Sequence, residues 1–185
     1  MGGDLILIKG ARKFQFEKIV NALQERIHGT TLEVNLNAIR HNYNFYRSRL
    51  LAKTKVMVMV KAYAYGGGSE EIANLLQQLK ADYLAVAYTD EGAHLRNKGI
   101  KLPIMVLNPE RESFLNLLKH RLEPVVYSLE FLEELGRFSK EENSPMDIHL
   151  DMDTGMHRLG FEQKDLPFLV ESLMLYPKLN VCSIF

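Results

Sequence analysis

Short runs of contiguous apolar residues alternate along this chain with segments of helical periodicity, and that alternation leaves few folds open. Candidate strands are Leu32–Leu36, Val56–Lys61, Tyr83–Ala87, Ile104–Leu107, Glu123–Val126, Asp147–Asp153 and Asn180–Phe185. Helical patterns lie between them at Asn37–Leu51, Ser69–Lys80, Asp90–Lys98, Ser113–Lys119, Leu129–Phe138 and Leu166–Leu175. Ser69, Thr89 and Ser128 stand where helix caps are expected, and Gly99 where a helix stops. The strand runs are continuously apolar rather than alternating, as in a parallel sheet covered by helices. Repeated βα units of about 20–30 residues predict a (β/α)8 barrel or a doubly wound sheet. A closed barrel of this kind takes about 250 residues. The runs from Val56 onward supply about six of its eight strands.

The sequence stops inside its last apolar run, Val181–Phe185, with no helix to cover it, so a fragment of a longer protein is expected. The first 28 residues read differently. Asp4–Gly10 has the pattern of a strand ending in a glycine turn, and Phe16–Ile27 that of an amphipathic helix. One strand and one helix cannot bury each other, so this piece is either an extension docked on the barrel or the end of a preceding domain.

Basic and acidic residues balance at 23 each, which offers neither nucleic acid nor an anionic membrane an obvious partner surface. No apolar stretch approaches the roughly 20 residues of a membrane span, and the N-terminus lacks a signal-peptide pattern. The single cysteine, Cys182, cannot form an internal disulfide. It suits a reducing cytosol and is expected to be a buried, inert thiol. The six histidines are dispersed, without metal-ligand spacing.

Two stretches carry chemistry. In Val58–Gly68 an apolar strand delivers Lys61 at its C-terminal end, followed by Tyr65 and the triple glycine Gly66-Gly67-Gly68. A partly desolvated amine beside backbone that can approach an anion closely suits a nucleophile for a carbonyl, as in a Schiff base. A strand-end lysine before a glycine-rich turn is also ordinary barrel architecture. The second stretch, Asp147–Phe161, places Asp151 and Asp153 on one strand face, then a tight Asp153-Thr154-Gly155 turn and Arg158. Strand C-terminal ends are where barrel active sites sit, and arginine offers a planar fork for a carboxylate or phenolate. A structural Asp151–Arg158 salt bridge explains the same pattern without catalysis.

Together the two stretches resemble the alanine racemase family. Val60-Lys61-Ala62-Tyr63-Ala64-Tyr65-Gly66-Gly67-Gly68 is similar to the family's Val-Lys-Ala-Asn-Ala-Tyr-Gly-His-Gly, and Asp153-Thr154-Gly155-Met156-His157-Arg158-Leu159-Gly160 to its Asp-Thr-Gly-Met-Asn-Arg-Leu-Gly. The likeness covers residues 30–185. It implies a (β/α)8 barrel that binds pyridoxal 5'-phosphate, with alanine as substrate, in a cytoplasmic homodimer serving peptidoglycan synthesis. It further implies Lys61 as the Schiff-base lysine and proton carrier, Tyr65 as a donor to the cofactor phosphate, and Arg158 at the cofactor's phenolic oxygen and the substrate carboxylate. Tyr63 replaces the family asparagine and Gly67 the family histidine. Asp151 stands where many members carry a carbamylated lysine. The resemblance therefore implies that Asp151 orients Arg158 without modification.

The family's opposite-face tyrosine comes from a second domain of the partner subunit. A chain ending at Phe185 is thus expected to bind cofactor weakly and not to racemise. Residues 1–29 resemble the C-terminal end of a Mur ligase, the enzyme adding D-alanyl-D-alanine to the muramyl tripeptide, which implies a ligase–racemase fusion. Other pyridoxal phosphate chemistry on the same fold, decarboxylation or aldol cleavage, and a non-catalytic cofactor carrier are the rival readings.

Overall fold

The computed structural model describes residues 32–185, of which 34–185 form one compact unit. Six strands, β1 (Met57–Met59), β2 (Tyr83–Val86), β3 (Ile104–Val106), β4 (Glu123–Val126), β5 (Met146–Leu150) and β6 (Leu179–Ile184), form one sheet in the order β1-β2-β3-β4-β5-β6. Every neighbouring pair is parallel. A doubly wound sheet reverses its strand order at a switch point. Uninterrupted sequential order is barrel topology, here as an incomplete barrel.

Helices α1 (Leu36–Ser48), α2 (Ser69–Gln78), α3 (Thr89–Asn97), α4 (Phe114–His120), α5 (Leu129–Glu141) and α6 (Leu166–Leu175) alternate with the strands. Short 3-10 turns, Arg111–Ser113 and Gln163–Asp165, lead into α4 and α6. Alternate strand residues point to two separate cores, as the two-residue period of a strand requires. Leu84, Val86, Ile104, Val106, Val126 and Ile148 pack under the helices. Ala85, Met105 and Val125, with Met59 and Leu107, fill the opposite face. Both faces are apolar, which is why the strand runs read as continuous.

Leu32–Leu36 is not a strand. Asn35 accepts hydrogen bonds from the backbone N–H groups of Asn37 (2.9 Å) and Ala38 (3.1 Å), so the chain turns into α1 at Leu36. This side-chain cap satisfies donors that a strand would have left seeking a neighbour. Ser128 caps α5 through Phe131 N–H, as expected (3.2 Å). Ser69 and Thr89 instead fall one position inside their helices. Cys182 is exposed rather than buried, because it lies on β6, the edge strand of the described sheet. Partial burial, then the charges of Asp147 and Glu123, push its thiol up in pKa, which suits an inert thiol.

Two polar clusters tie the layers together. His149, almost wholly buried, meets Glu123 Oε2 through Nε2 (2.9 Å) and Ser183 Oγ through Nδ1 (2.7 Å). The register shift between Ile148 and His149 lies at this point of the β5–β6 ladder. At the far end of α3, half-buried Arg96 donates to the carbonyls of His120 (2.9 Å), Ile100 (2.9 Å), Leu102 (2.5 Å) and Arg121 (3.1 Å). Lysine has no planar fork to serve four carbonyls. Arg96→Lys is therefore expected to lower stability by about 2 kcal/mol in chemical denaturation, by leaving partly buried acceptors unpaired.

The proposed strand and helix in residues 4–28, and with them the ligase-like tail, lie outside the described residues. Among the described residues, no helix is long and apolar enough to cross a membrane.

Candidate active site

The C-terminal ends of β1, β3 and β5 open onto a cavity of about 590 Å³. Lys61, Asn108, Asp151, Thr154 and Arg158 bring polar groups to it, against apolar walls from Met57, Met59, Leu107 and Val125. Lys61 and Arg158, almost a hundred residues apart in sequence, thus share one space at the end of the sheet where barrel chemistry takes place. Lys61 is half-buried, and among the described residues it joins no ion pair. Arg158 is exposed. Tyr65 is exposed on the turn beyond Lys61 and is not among the residues lining this cavity.

Backbone geometry around Lys61 is unusual. Val60 N–H donates to Ala85 O (2.8 Å), continuing the β1–β2 ladder to the residue before the lysine. Ala62, Tyr63, Ala64 and Tyr65 then all adopt left-handed dihedrals, with φ between 51° and 58°, before Gly66 at 83°. A left-handed residue other than glycine costs roughly 1–2 kcal/mol. Such a run persists only where its surroundings over-determine it. Internal bonds Ala64 N–H to Val60 O (3.0 Å) and Gly66 N–H to Ala62 O (3.0 Å) hold the turn, and Gly68 N–H donates to Tyr63 O (3.1 Å). Nothing in residue spacing announces this run; the glycines mark only where it ends.

Tyr63 sits in that run, 69% exposed, where the family motif has asparagine. Asparagine tolerates left-handed dihedrals better than tyrosine does. Tyr63→Asn is expected to raise stability by about 0.5–1 kcal/mol, read as a higher unfolding midpoint. A lower midpoint would show that the exposed ring contributes packing that outweighs the backbone strain.

The second motif forms a loop pinned at both ends. Phe161 N–H donates to Asp151 O (2.8 Å) and Asp153 N–H to Phe161 O (2.9 Å). Asp153 Oδ1 accepts from Gly155 N–H (2.9 Å) and His157 N–H (3.0 Å), while its Oδ2 meets His157 Nδ1 (2.9 Å). His157, left-handed at φ 54°, takes the place of the motif's asparagine and hands the chain on to Arg158. Asp153 is thus the staple of the loop. Asp151 and Arg158 line the same cavity, but they do not form the direct ion pair expected from sequence. Arg158 acts on Asp151 only through its field, and burial of Asp151 outweighs it.

These two acids titrate in opposite directions. The backbone N–H groups of His157 and Gly155 hold the Asp153 carboxyl below its ordinary value of 3.8. Its ionised form therefore adds stability above that value, and the contribution is lost as pH falls through the folded value. Burial raises Asp151 above 3.8, Arg158 lowers it and Asp153 raises it further. Charging Asp151 consequently costs stability at neutral pH, and the cost is relieved as pH falls through its folded value. In carbon-detected titration of the two carboxyls, Asp151 is expected to take its proton first and Asp153 at lower pH. The reverse order would contradict the loop geometry.

Comparison with known proteins bears on what such a site serves. The family model described as alanine racemase, N-terminal domain, matches residues 34–185. This chain belongs to the alanine racemase family. Alanine racemase 1 of Caldanaerobacter subterraneus subsp. tengcongensis is 35% identical over 141 residues, covering 76% of this chain and 36% of that protein. The alanine racemase of Ligilactobacillus salivarius is 39% identical over 142 residues, covering 76% of this chain and 38% of that protein. Among solved structures, alanine racemase from Clostridium difficile 630 superposes with a TM-score of 0.77 at 34% identity, covering 84% of this chain and 43% of that one. The Bacillus anthracis alanine racemase with bound L-Ala-P gives 0.75 at 29% identity, covering 82% and 39%. The chain therefore spans less than half the length of these alanine racemases.

Proposed function

We propose that this chain is the cofactor-bearing part of a cytoplasmic, pyridoxal phosphate-dependent enzyme that interconverts L- and D-alanine, acting within a longer, homodimeric protein. The observation that carries this reading is the shared cavity. A half-buried amine beyond β1 and a guanidinium beyond β5 face one space in a chain of the alanine racemase family. The donor set suits the cofactor: an amine for its aldehyde, a cation for its ring oxygen, and the Met57, Met59 and Leu107 walls for its planar ring.

When bound, pyridoxal phosphate supplies the electron sink that makes the α-proton of an amino acid labile. Lys61 would hold the cofactor through its aldehyde carbon and, with its amine free, would take or return the α-proton at Nζ on its own face. Arg158 favours the anionic form of the ring oxygen and offers its fork to the substrate carboxylate. Asp151 would set the field that orients that guanidinium, in place of a carbamylated lysine. Tyr65, exposed on the turn beyond Lys61 and outside the cavity lining, would donate its phenol to the cofactor phosphate. The acid/base group for the opposite face belongs to the second domain of the family, supplied across the dimer. The ligase-like tail would couple D-alanine production to its use in the cell wall.

The test is borohydride fixation of pyridoxal phosphate followed by peptide mapping, together with chiral analysis of alanine incubated with the full-length protein. Label on Lys61 and conversion of L-alanine to D-alanine support the reading. Label on another lysine, or no D-alanine, overturns it.

A further inference from the structure

The amide that follows Lys61 is held by a carboxylate from another βα unit. Ala62 N–H donates to Glu91 Oε1 at 2.6 Å across 29 residues of sequence. The other oxygen of the same carboxylate, Oε2, accepts from Ala87 N–H (2.8 Å) and Tyr88 N–H (3.2 Å), where β2 passes into α3. Glu91 lies in the first turn of α3, where a negative charge is favoured by the helix dipole. One side chain thus clamps two strand-to-helix turns together, with both oxygens used.

We propose that Glu91 is a positioning residue for Lys61, an inference that rests on the functional reading above. Ala62 opens the left-handed run, so its N–H is one of the first-turn donors that the turn cannot satisfy internally. A charge-assisted bond there fixes the Lys61–Ala62 peptide plane, while Val60 on the other side is fixed by Ala85 O. The lysine is therefore bracketed by two pinned peptides from different neighbours, and the direction in which its side chain leaves β1 is set. Without Glu91 the left-handed run loses this external restraint. The turn then relaxes, and the amine is no longer held toward the cavity. The pattern could not be read as a motif, because residues 62 and 91 belong to different βα units.

Glu91→Gln keeps the shape but leaves only one acceptor oxygen for the two turns. Three preparations of the full-length protein are compared: unmodified, Glu91→Gln, and Ser128→Ala, which removes the cap of α5 and touches neither turn. Pyridoxal phosphate is titrated into each, with the Lys61 adduct read by visible absorbance and mapped after borohydride reduction. Amide hydrogen exchange is followed at Ala62. Glu91→Gln is expected to weaken capture about tenfold to a hundredfold and to speed exchange at Ala62 by a similar factor. Ser128→Ala should lower the unfolding midpoint with neither change. Capture and Ala62 exchange in Glu91→Gln equal to the unmodified chain overturn the inference and leave the functional reading standing. An unmodified full-length protein that forms no Lys61 adduct overturns both. Should Glu91→Gln not fold, exchange at Ala62 in the unmodified chain decides. Protection supports the clamp, and exchange at the rate of a free amide overturns it.

Discussion

Lys61→Ala is expected to abolish covalent capture of pyridoxal phosphate and to cut racemisation by the full-length protein by at least about a thousandfold. The amine would carry two roles, anchoring the aldehyde and shuttling a proton, so its loss removes both at once. Stability should barely move. The side chain is half-buried, and Lys61 itself keeps ordinary negative-φ backbone at the head of the left-handed run. Truncation there should change stability within about 0.5 kcal/mol. A folded Lys61→Ala protein that still binds cofactor covalently would place the anchor elsewhere. Lys55 is the informative comparison, since it belongs to the same strand region but lies over the Tyr83 ring, away from the Lys61 cavity.

The second large effect is expected at Gly160, which has φ of 108°. A Cβ built there would come within 2.7 Å of Asp153 N, 3.0 Å of Met152 C and 3.1 Å of Asp151 O. All three are backbone atoms, so no side chain can swing away. Gly160→Ala must either open the paired contact between Met152 and Phe161 or strain both segments. The expected cost is about 3 kcal/mol, from the disfavoured dihedral and the overpacking together. The functional consequence follows from the same geometry. Asp151, Asp153 and Arg158 all hang on this closure, so cofactor capture should fall even where the protein remains folded. Gly155→Ala makes the discriminating comparison. That residue also has positive φ, at 128°, but a Cβ there meets nothing within 4 Å. Gly155→Ala should cost only its backbone strain, about 1–2 kcal/mol. Equal losses at the two positions would mean that the close approach at Gly160 is unimportant.

The alternation of apolar runs and helical periods is visible in the sequence because the inner strands β2, β3 and β4 bury residues on both faces, and burial leaves its mark residue by residue. Placing Lys61 and Asp151 at C-terminal strand ends needed only the lengths of those runs. Leu32–Leu36 misled for a local reason: Asn35 inside the run caps a helix, and a capping side chain outranks apolar content. Cys182 misled for a non-local one, since an edge position depends on which strands lie beside β6, not on the strand's own residues.

What the amino-acid order settled unaided is therefore the sequence of βα units and the end of the sheet at which Lys61 and Asp151 stand. Both are written in periodicity and burial, which each segment expresses on its own. Tertiary structure decided the rest: the left-handed course of Ala62–Tyr65, the Glu91 bridge to Ala62, and the meeting of Asp151 and Arg158 in one cavity without a direct ion pair. A strained backbone survives only through contacts that other units bring to it, and its conformation can be known only once those units are in place.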